Sequence, residues 1–450
     1  MSESMNRRYW DPKYEDMAAE ELGPVQLKNL RSQVSWVYHH SPFYRRSFDA
    51  AGVVPGRVKT LSDIERLPFI DKSDYERSQA GSPPYGEMLC VSQELLTRHW
   101  TTSGSTGQPR VVGTTTEDYR DLVESGARVL WAGGVRPGDR VMIPQSHGPW
   151  VGLWGVYDAA WSLVGAQAIP VGGVSTQKRA EMVRDMGFST IVCTPSYAAY
   201  LTEVAQQELS IDTESTAVKS IMIAGEPASP ATRDLLETAW GARTVEFFGT
   251  TENYSYHGVE CEARDGIHFW EDRIVTEIVD PESGAQLPKG EFGELVITNL
   301  SSKSMPAIRF RTGDLTAIAK DACKCGSAHN RIQYLQGRLE QVVKIRGLNV
   351  YPRVVEDIIR SVPGLGSEYR IILETERHLD GLRLQVEALN TNAEEESRVR
   401  DQLLKRVRGV IGIGANIEVL EHGTLPVSEG KGQRIIDKRN QLGVSSRDGD

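Results

Sequence analysis

The sequence predicts an α/β protein with a large N-terminal domain of layered, mostly parallel sheets plus a β-rich subdomain, and a small C-terminal α+β domain. Three observations carry this. From Asp139 to Thr250 the short apolar runs "RVMIPQ", "AQAIPVG", "STIVCTP", "SIMIAGEP" and "TVEFFGT" alternate with stretches of helical spacing such as "TQKRAEMVRDMG" and "SPATRDLLETAW". Wholly apolar strands joined by crossover helices form a parallel sheet covered on both faces, with ligands expected beyond the carboxyl ends of its strands. After Arg273 the runs "IVTEIVD", "GELVITNL" and "DLTAIA" are punctuated by "PESG", "LPKG" and "RTGD" turns, the pattern of antiparallel strands. Beyond "GRLE" at 337–340 the order strand, helix, two strands, helix, strand describes a unit large enough to fold by itself.

The elements follow in order. Residues 13–50 are expected to be helical, because Leu27, Leu30, Val34 and Val37 recur every three or four positions, with an end near "SPFYRR". At 450 residues the chain exceeds the size at which single cores stop growing. The last unit comprises strand "QVVKIR", helix "PRVVEDIIRSV", strands "YRIILET" and "LRLQVEAL", helix "EEESRVRDQLLKRVRGV" and strand "ANIEVLE".

Composition narrows the function. The balance of 51 basic and 61 acidic residues gives a net charge of -10 with no basic run, so a nucleic-acid partner is not expected and an anionic ligand must be held locally. No apolar tract is long enough for a membrane span and no signal is evident at the N-terminus, so a cytoplasmic location is expected. Five cysteines are too few for a disulfide scaffold and leave reduced thiols or a metal site.

The stretch "TTSGSTGQPR" at 101–110 is either a flexible linker or an anion cradle. Gly104 and Gly107 allow close backbone approach, so that successive N–H groups can converge on phosphate, and Ser103, Ser105 and Thr106 add hydroxyls. The spacing is not that of the common nucleotide-triphosphate loop. Downstream, in fixed order, come "AGEP" at 224–227, "FFGTTE" at 247–252, "RFRTGDL" from 309, "GRLEQVVKIRGLNV" from 337 and "SEGKGQR" from 428. Together these resemble the adenylate-forming superfamily of acyl-CoA synthetases, and within it the phenylacetate-CoA ligase branch. "VSWVYHHSPFYRRSFDAAGV", "LPFIDKSDY", "TPSYAAYL" and "LPVSEGKGQRIIDKRN" are similar to further signatures of that branch.

The resemblance implies ATP-dependent activation of an aromatic carboxylic acid to acyl-AMP with loss of pyrophosphate, then capture by the thiol of CoA. A carrier-protein thiol or an amine is the alternative acceptor. Charge building at phosphorus calls for preorganised donors, a metal and a cation. By resemblance, residues 103–107 hold the outer phosphates, Glu252 coordinates magnesium, and Thr250 and Thr251 face the carboxylate or α-phosphate. Gly225, Glu226 and Pro227, with Phe247, Phe248 and Gly249, are expected to sandwich adenine. Asp314 would accept both ribose hydroxyls and Arg338 reach ribose or phosphate. Lys431 would bridge the acid and the ribose in the first half-reaction. Glu340 stands where relatives have a hinge Asp, which divides the chain into 1–339 and a mobile 340–450. Rotation of the small domain would present Lys344, Arg346 and Gly347 to CoA.

Two further expectations concern the metal and the acid. Cys323 and Cys325 form Cys-x-Cys, and Cys261 with His268 completes a set suited to a closed, structural zinc site, His329 competing with His268. The acyl pocket is expected near 146–161, with His147, Trp150 and Ala224 as lining candidates, while Trp154 and Trp161 suit helix packing into the core. Homodimers are common in the branch.

Overall fold

The computed structural model describes residues 7–102, 109–145, 148–345, 348–376, 379–389, 392–427 and 434–439. The lead-in predicted over 13–50 forms a single turn at Pro12–Glu15, then α1 (Ala19–His40) and α2 (Pro42–Ala50). Proline disfavours helical backbone in the residue before it, so the chain breaks at Ser41, whose hydroxyl accepts the Tyr44 N–H. "SPFYRR" therefore opens a second helix rather than closing the first. Leu30, Val34 and Val37 are fully buried, as their spacing requires.

After α3 (Lys72–Gly81) the antiparallel pair β1 (Leu96–Thr101) and β2 (Val111–Thr115) brackets "TTSGSTGQPR", with Thr101 opposite Val111. Helix α4 (Thr116–Ala132) opens with a reciprocal cap between Thr115 and Asp118. The predicted alternation then appears: β3 (Arg140–Ile143), α5 (Val151–Ala159), β4 (Gln167–Pro170), α6 (Thr176–Met186), β5 (Thr190–Cys193), α7 (Pro195–Glu203), β6 (Ser220–Ile223), α8 (Pro230–Trp240) and β7 (Arg243–Thr250). These five strands are parallel in the order β7-β6-β5-β3-β4. Every residue of β5 and β6 is buried, which is why both read as continuous apolar runs.

The sheet continues past β7 through antiparallel β8 (Ser255–Glu260) and β9 (Ile267–Phe269), strands whose polar His257, Glu260 and His268 hide them in the sequence. The predicted antiparallel set is β10 (Ile274–Val279), β11 (Gly293–Asn299) and β12 (Phe310–Thr316). Next, β13 (Arg331–Ile332) joins the edge of the large sheet beside β9, and β14 (Gly337–Arg338) pairs with β12. "RTGD" is not a turn. Register jumps from Arg311 opposite Val296 to Leu315 opposite Glu294, so Thr312–Asp314 bulge out of β12 with Gly313 at φ +79.

The small lobe contains β15 (Val343–Ile345), β16 (Leu348–Val350), α9 (Pro352–Arg360), β17 (Leu365–Glu376), β18 (Leu379–Ala388), α10 (Ala393–Val410), β19 (Ala415–Glu421) and β20 (Ile435–Asp437). Its sheet runs β19-β18-β17-β20, and Val343, Ile358, Ile371, Leu384 and Leu403 share a core of their own. It docks on the amino end of α8, where the Ala231 N–H donates to Asp357 at 3.0 Å and the Thr232 hydroxyl to Glu356 at 3.1 Å. Carboxylates at a helix N-terminus satisfy free N–H groups and meet the positive end of the dipole. Among the described residues no helix is long and apolar enough to cross a membrane.

Candidate active site

The expected site residues gather where β6, β7 and β12 deliver their ends. Strand β6 runs into "AGEP", where Gly225 takes φ +87 and so turns the chain at a position that favours glycine. Strand β7 carries Phe247–Thr250. A Cβ on Gly249 would meet the Ser255 carbonyl at 2.7 Å, so glycine is needed for the close pairing of β7 with β8. Phe247 packs on Tyr256 with centroids 5.7 Å apart, and Phe248 stacks on Phe269 at 5.5 Å. Both rings are thus committed to cores on opposite sides of the sheet. This differs from an aromatic face open to adenine: the strand end presents the Gly249 backbone and the Thr250 hydroxyl.

Thr250 is fixed by two neighbours that sequence reasoning missed: its hydroxyl shares a hydrogen bond with His257 Nε2 at 2.9 Å and accepts one from Asn253 at 3.2 Å. Burial pushes the His257 pKa down to about 3, so the ring is neutral. Thr251 is half-buried in the turn that follows, and its carbonyl accepts the Tyr254 N–H.

Glu252 is buried and bound by Arg110, the cation of "TTSGSTGQPR". Arg110 Nη2 and Nε both donate to Oε1, and Nη1 donates to Glu76 at 3.1 Å. The first glycine-rich stretch is thereby tied to the expected magnesium ligand. Ser103, Gly104, Ser105, Thr106 and Gly107 lie outside the described residues, as do His147, Arg346, Gly347 and Lys431.

Asp314, in the β12 bulge, and Arg338, on β14, are register partners, and Arg338 Nε donates to Asp314 Oδ1 at 3.2 Å. The carboxylate raises the Arg338 pKa, with burial opposing and Glu340 and Glu252 adding to the rise. Glu340 lies 3.6 Å from Arg338 Nη1 and 3.4 Å from Lys72 Nζ. Lys72 comes from "LPFIDKSDY" and was not anticipated as a partner of the hinge position. Lys344 is exposed on β15.

In the expected acyl segment, α4 and α5 cross at two glycines, a Cβ on Gly126 coming within 2.7 Å of the Gly155 carbonyl. Trp150 is 42% exposed at the start of α5, Trp154 packs half-buried with its indole N–H on the Gly148 carbonyl at 2.9 Å, and Ala224 is half-buried at the end of β6. Trp161 does not pack into the core: it is 58% exposed and hydrogen-bonds Asp158.

At the antiparallel edge of the large sheet the ligand atoms of Cys261, His268, Cys323 and Cys325 lie within 4.8 Å of one another. Cys261 and Cys323 sulfurs are 3.6 Å apart, and Cys325 sulfur is 3.3 Å from His268 Nε2. Sulfurs about 2.3 Å from one tetrahedral centre are separated by about 3.8 Å, close to the Cys261–Cys323 separation. His268 Nδ1 hydrogen-bonds the His329 carbonyl, which aims Nε2 at the thiols. His329 uses both ring nitrogens elsewhere, on the Tyr14 carbonyl and the Glu271 N–H.

Comparison with known proteins agrees with this architecture. Residues 57–301 match the model of the AMP-binding enzyme family, and 347–439 that of the AMP-binding enzyme C-terminal domain. The chain is 33% identical to the phenylacetate-coenzyme A ligase of Thermus thermophilus, over 96% of this chain and 99% of that one. A crystal structure of 2-hydroxyisobutyryl-CoA ligase in the postadenylation state with 2-HIB-AMP superimposes with a TM-score of 0.91 at 30% identity, covering 97% of this chain and 94% of the other. The same enzyme in its thioesterification state with 2-HIB-AMP and CoA gives 0.72 at 31% identity, with 97% and 93% covered. One relative in two states thus scores differently at equal coverage, and the lobes here are arranged as in the postadenylation state. The chain belongs to the AMP-binding enzymes, in their phenylacetate-CoA ligase branch.

Proposed function

We propose that the protein activates an aromatic carboxylic acid with ATP to an acyl-adenylate and transfers the acyl group to CoA, releasing pyrophosphate and AMP. The observation that carries this reading is the convergence of Arg110–Glu252 and Asp314–Arg338–Glu340 on the strand ends that bear Gly225 and Thr250. Asp314 offers a buried carboxylate to the ribose hydroxyls, with Arg338 beside it for phosphate. Thr250, held by His257 and Asn253, gives the reacting end a fixed hydroxyl. Glu252 would hold magnesium, with Arg110 bonded to its Oε1 keeping the carboxylate in place. The metal, when bound, neutralises phosphate charge as the acid attacks. Lys431 would supply the cation to the acid.

The division at 339/340 is supported by β14, which still pairs with β12 of the large lobe, and by Val343, which already belongs to the small-lobe core. The two states of the 2-hydroxyisobutyryl-CoA ligase support a small lobe with two positions, one for each half-reaction. The four-residue cluster would hold a structural zinc, its donor set of three thiolates and one oriented imidazole leaving no open coordination position.

ATP–pyrophosphate exchange across a panel that includes phenylacetate, other aryl and arylacetic acids and 2-hydroxyisobutyrate tests the reading, repeated with CoA and product identification. Aromatic-acid-dependent exchange and a CoA thioester are expected. Exchange without CoA consumption would point to a carrier-protein or amine acceptor, and exchange only with small aliphatic acids would overturn the aromatic assignment.

A further inference from the structure

Arg353, the second residue of α9, leaves the small lobe and enters a pocket of the large one. It is only 9% exposed, its Nη1 donates to the Leu335 carbonyl at 2.7 Å, and its guanidinium lies 5.5 Å from the Tyr334 ring centroid. Arg233 of α8 lies 5.0 Å from the same ring. Behind the two arginines are two carboxylates, Glu246 of β7 and Glu260 of β8, both almost wholly buried. Glu260 takes two 2.8 Å bonds from Arg233 Nη2 and another from the Tyr334 hydroxyl. Glu246 is served less well. Its Oε2 is 3.6 Å from Arg233 Nη1, and among the described residues neither atom has a hydrogen-bond partner.

The large lobe therefore brings two buried carboxylates and one guanidinium to this pocket, and the small lobe brings the second cation. Burial raises the Glu246 pKa to about 7, with Arg353 and Arg233 both opposing the rise, and burial lowers the Arg353 pKa in turn, with Glu246 opposing that fall; the nearer cation is Arg233. Withdrawal of Arg353 leaves Glu246 to be neutralised by a proton or by water and breaks the bond to the Leu335 carbonyl, so the pocket favours a lobe that is docked over one that has turned away. Strand β7 runs directly from Glu246 to Thr250, which links the pocket to the site.

We infer that Arg353 is a positioning residue for adenylation, holding the small lobe over the nucleotide through its bond to the Leu335 carbonyl and its place on the Tyr334 ring beside Arg233 and the buried carboxylates. This rests on the two-position reading of the small lobe. Rotation for thioester formation withdraws the guanidinium and leaves Glu246 and Glu260 to share Arg233. The lobe's affinity for the first position is then set partly by a residue that touches no substrate.

The test separates the half-reactions in the full-length protein: pyrophosphate exchange for the first, and thioester yield from supplied acyl-AMP and CoA for the second. Arg353→Gln is expected to lower exchange by about tenfold through the shifted population, and to leave the second half-reaction within about twofold. Arg353→Lys, which keeps the charge, should restore most of the exchange. Glu246→Gln should make the Arg353→Gln loss smaller in the double variant, because the unanswered charge is gone. Unchanged exchange, equal loss in both half-reactions, or additive losses in the double variant would overturn the inference. Lys431→Ala run beside them tells the failures apart: if it spares thioester formation while Arg353→Gln does not, the two-position reading stands and the latch falls. If Lys431→Ala damages both halves, both fall together.

Discussion

Arg110 and Glu252, 142 residues apart in the chain, meet through two hydrogen bonds of 3.0 and 3.2 Å with both side chains less than a tenth exposed. Removing one partner of a buried pair leaves an uncompensated charge, so Arg110→Met should destabilise the fold by about 3–5 kcal/mol and abolish exchange. Urea denaturation of the variant measures the first effect. An unmoved midpoint would mean that the pair contributes nothing.

Lys431 lies outside the described residues, and its role rests on "SEGKGQR". An ion pair at ~4 Å and an effective dielectric near 20 is worth about 4 kcal/mol, or roughly a thousandfold in rate. Lys431→Ala should therefore remove acyl-AMP formation while thioester formation from supplied acyl-AMP continues. Parallel assays of the two half-reactions decide this.

His422 of the small lobe bonds Glu203 of α7 at 2.6 Å, and that bond raises its pKa above the ordinary 6.5, with Glu387 and Glu208 adding to the rise. A raised histidine stabilises the docked arrangement fully below its unfolded value and loses that contribution as pH rises through the folded one. Release of the small lobe, followed by hydrogen exchange along α7, should increase from pH 6.5 upward. His422→Gln should flatten the profile. An identical pH profile in the variant would rule the pair out as its source.

Metal analysis of the purified protein should find zinc at one ion per chain, and Cys323→Ser should reduce it. Loss of the ion should lower the melting temperature by several degrees, because the site clamps β9 to the loop before β13. Exchange activity at low temperature should survive, since the cluster lies at the sheet edge.

Strands β5 and β6 were legible in the sequence because every residue in them is buried, so they carry no polar alternation to confuse the reading. The motifs around Glu252, Asp314 and Arg338 were legible because their spacing is distinctive, while the roles of these residues belong to the proposed reading. Their partners were not: Arg110 on Glu252, Lys72 on Glu340 and Arg353 near Glu246 are cations whose neighbours are chosen by tertiary packing, and one lysine or arginine in a sequence resembles another. "RTGD" read as a turn because Gly and Asp favour turns, but they equally favour a bulge, and only the register with β11 decides between the two. The resemblance leads one to expect Phe247 and Phe248 at adenine, whereas strand alternation sends one ring to each core.

Several contacts that seat the amino-terminal helices reach far ahead in the chain. Gln26 donates to the Ile274 carbonyl, Gln33 to that of Ser302, Trp36 to that of Lys303, and the Tyr14 carbonyl meets His329, separations of 248 to 315 positions. During synthesis these helices leave the ribosome well before the antiparallel sheet that receives Gln26, Gln33 and Trp36, so the face that meets the sheet stays uncovered for much of translation. Stalled chains ending before about residue 270 should hold that face open to a holdase or a protease, and chains long enough to include His329 should bury it.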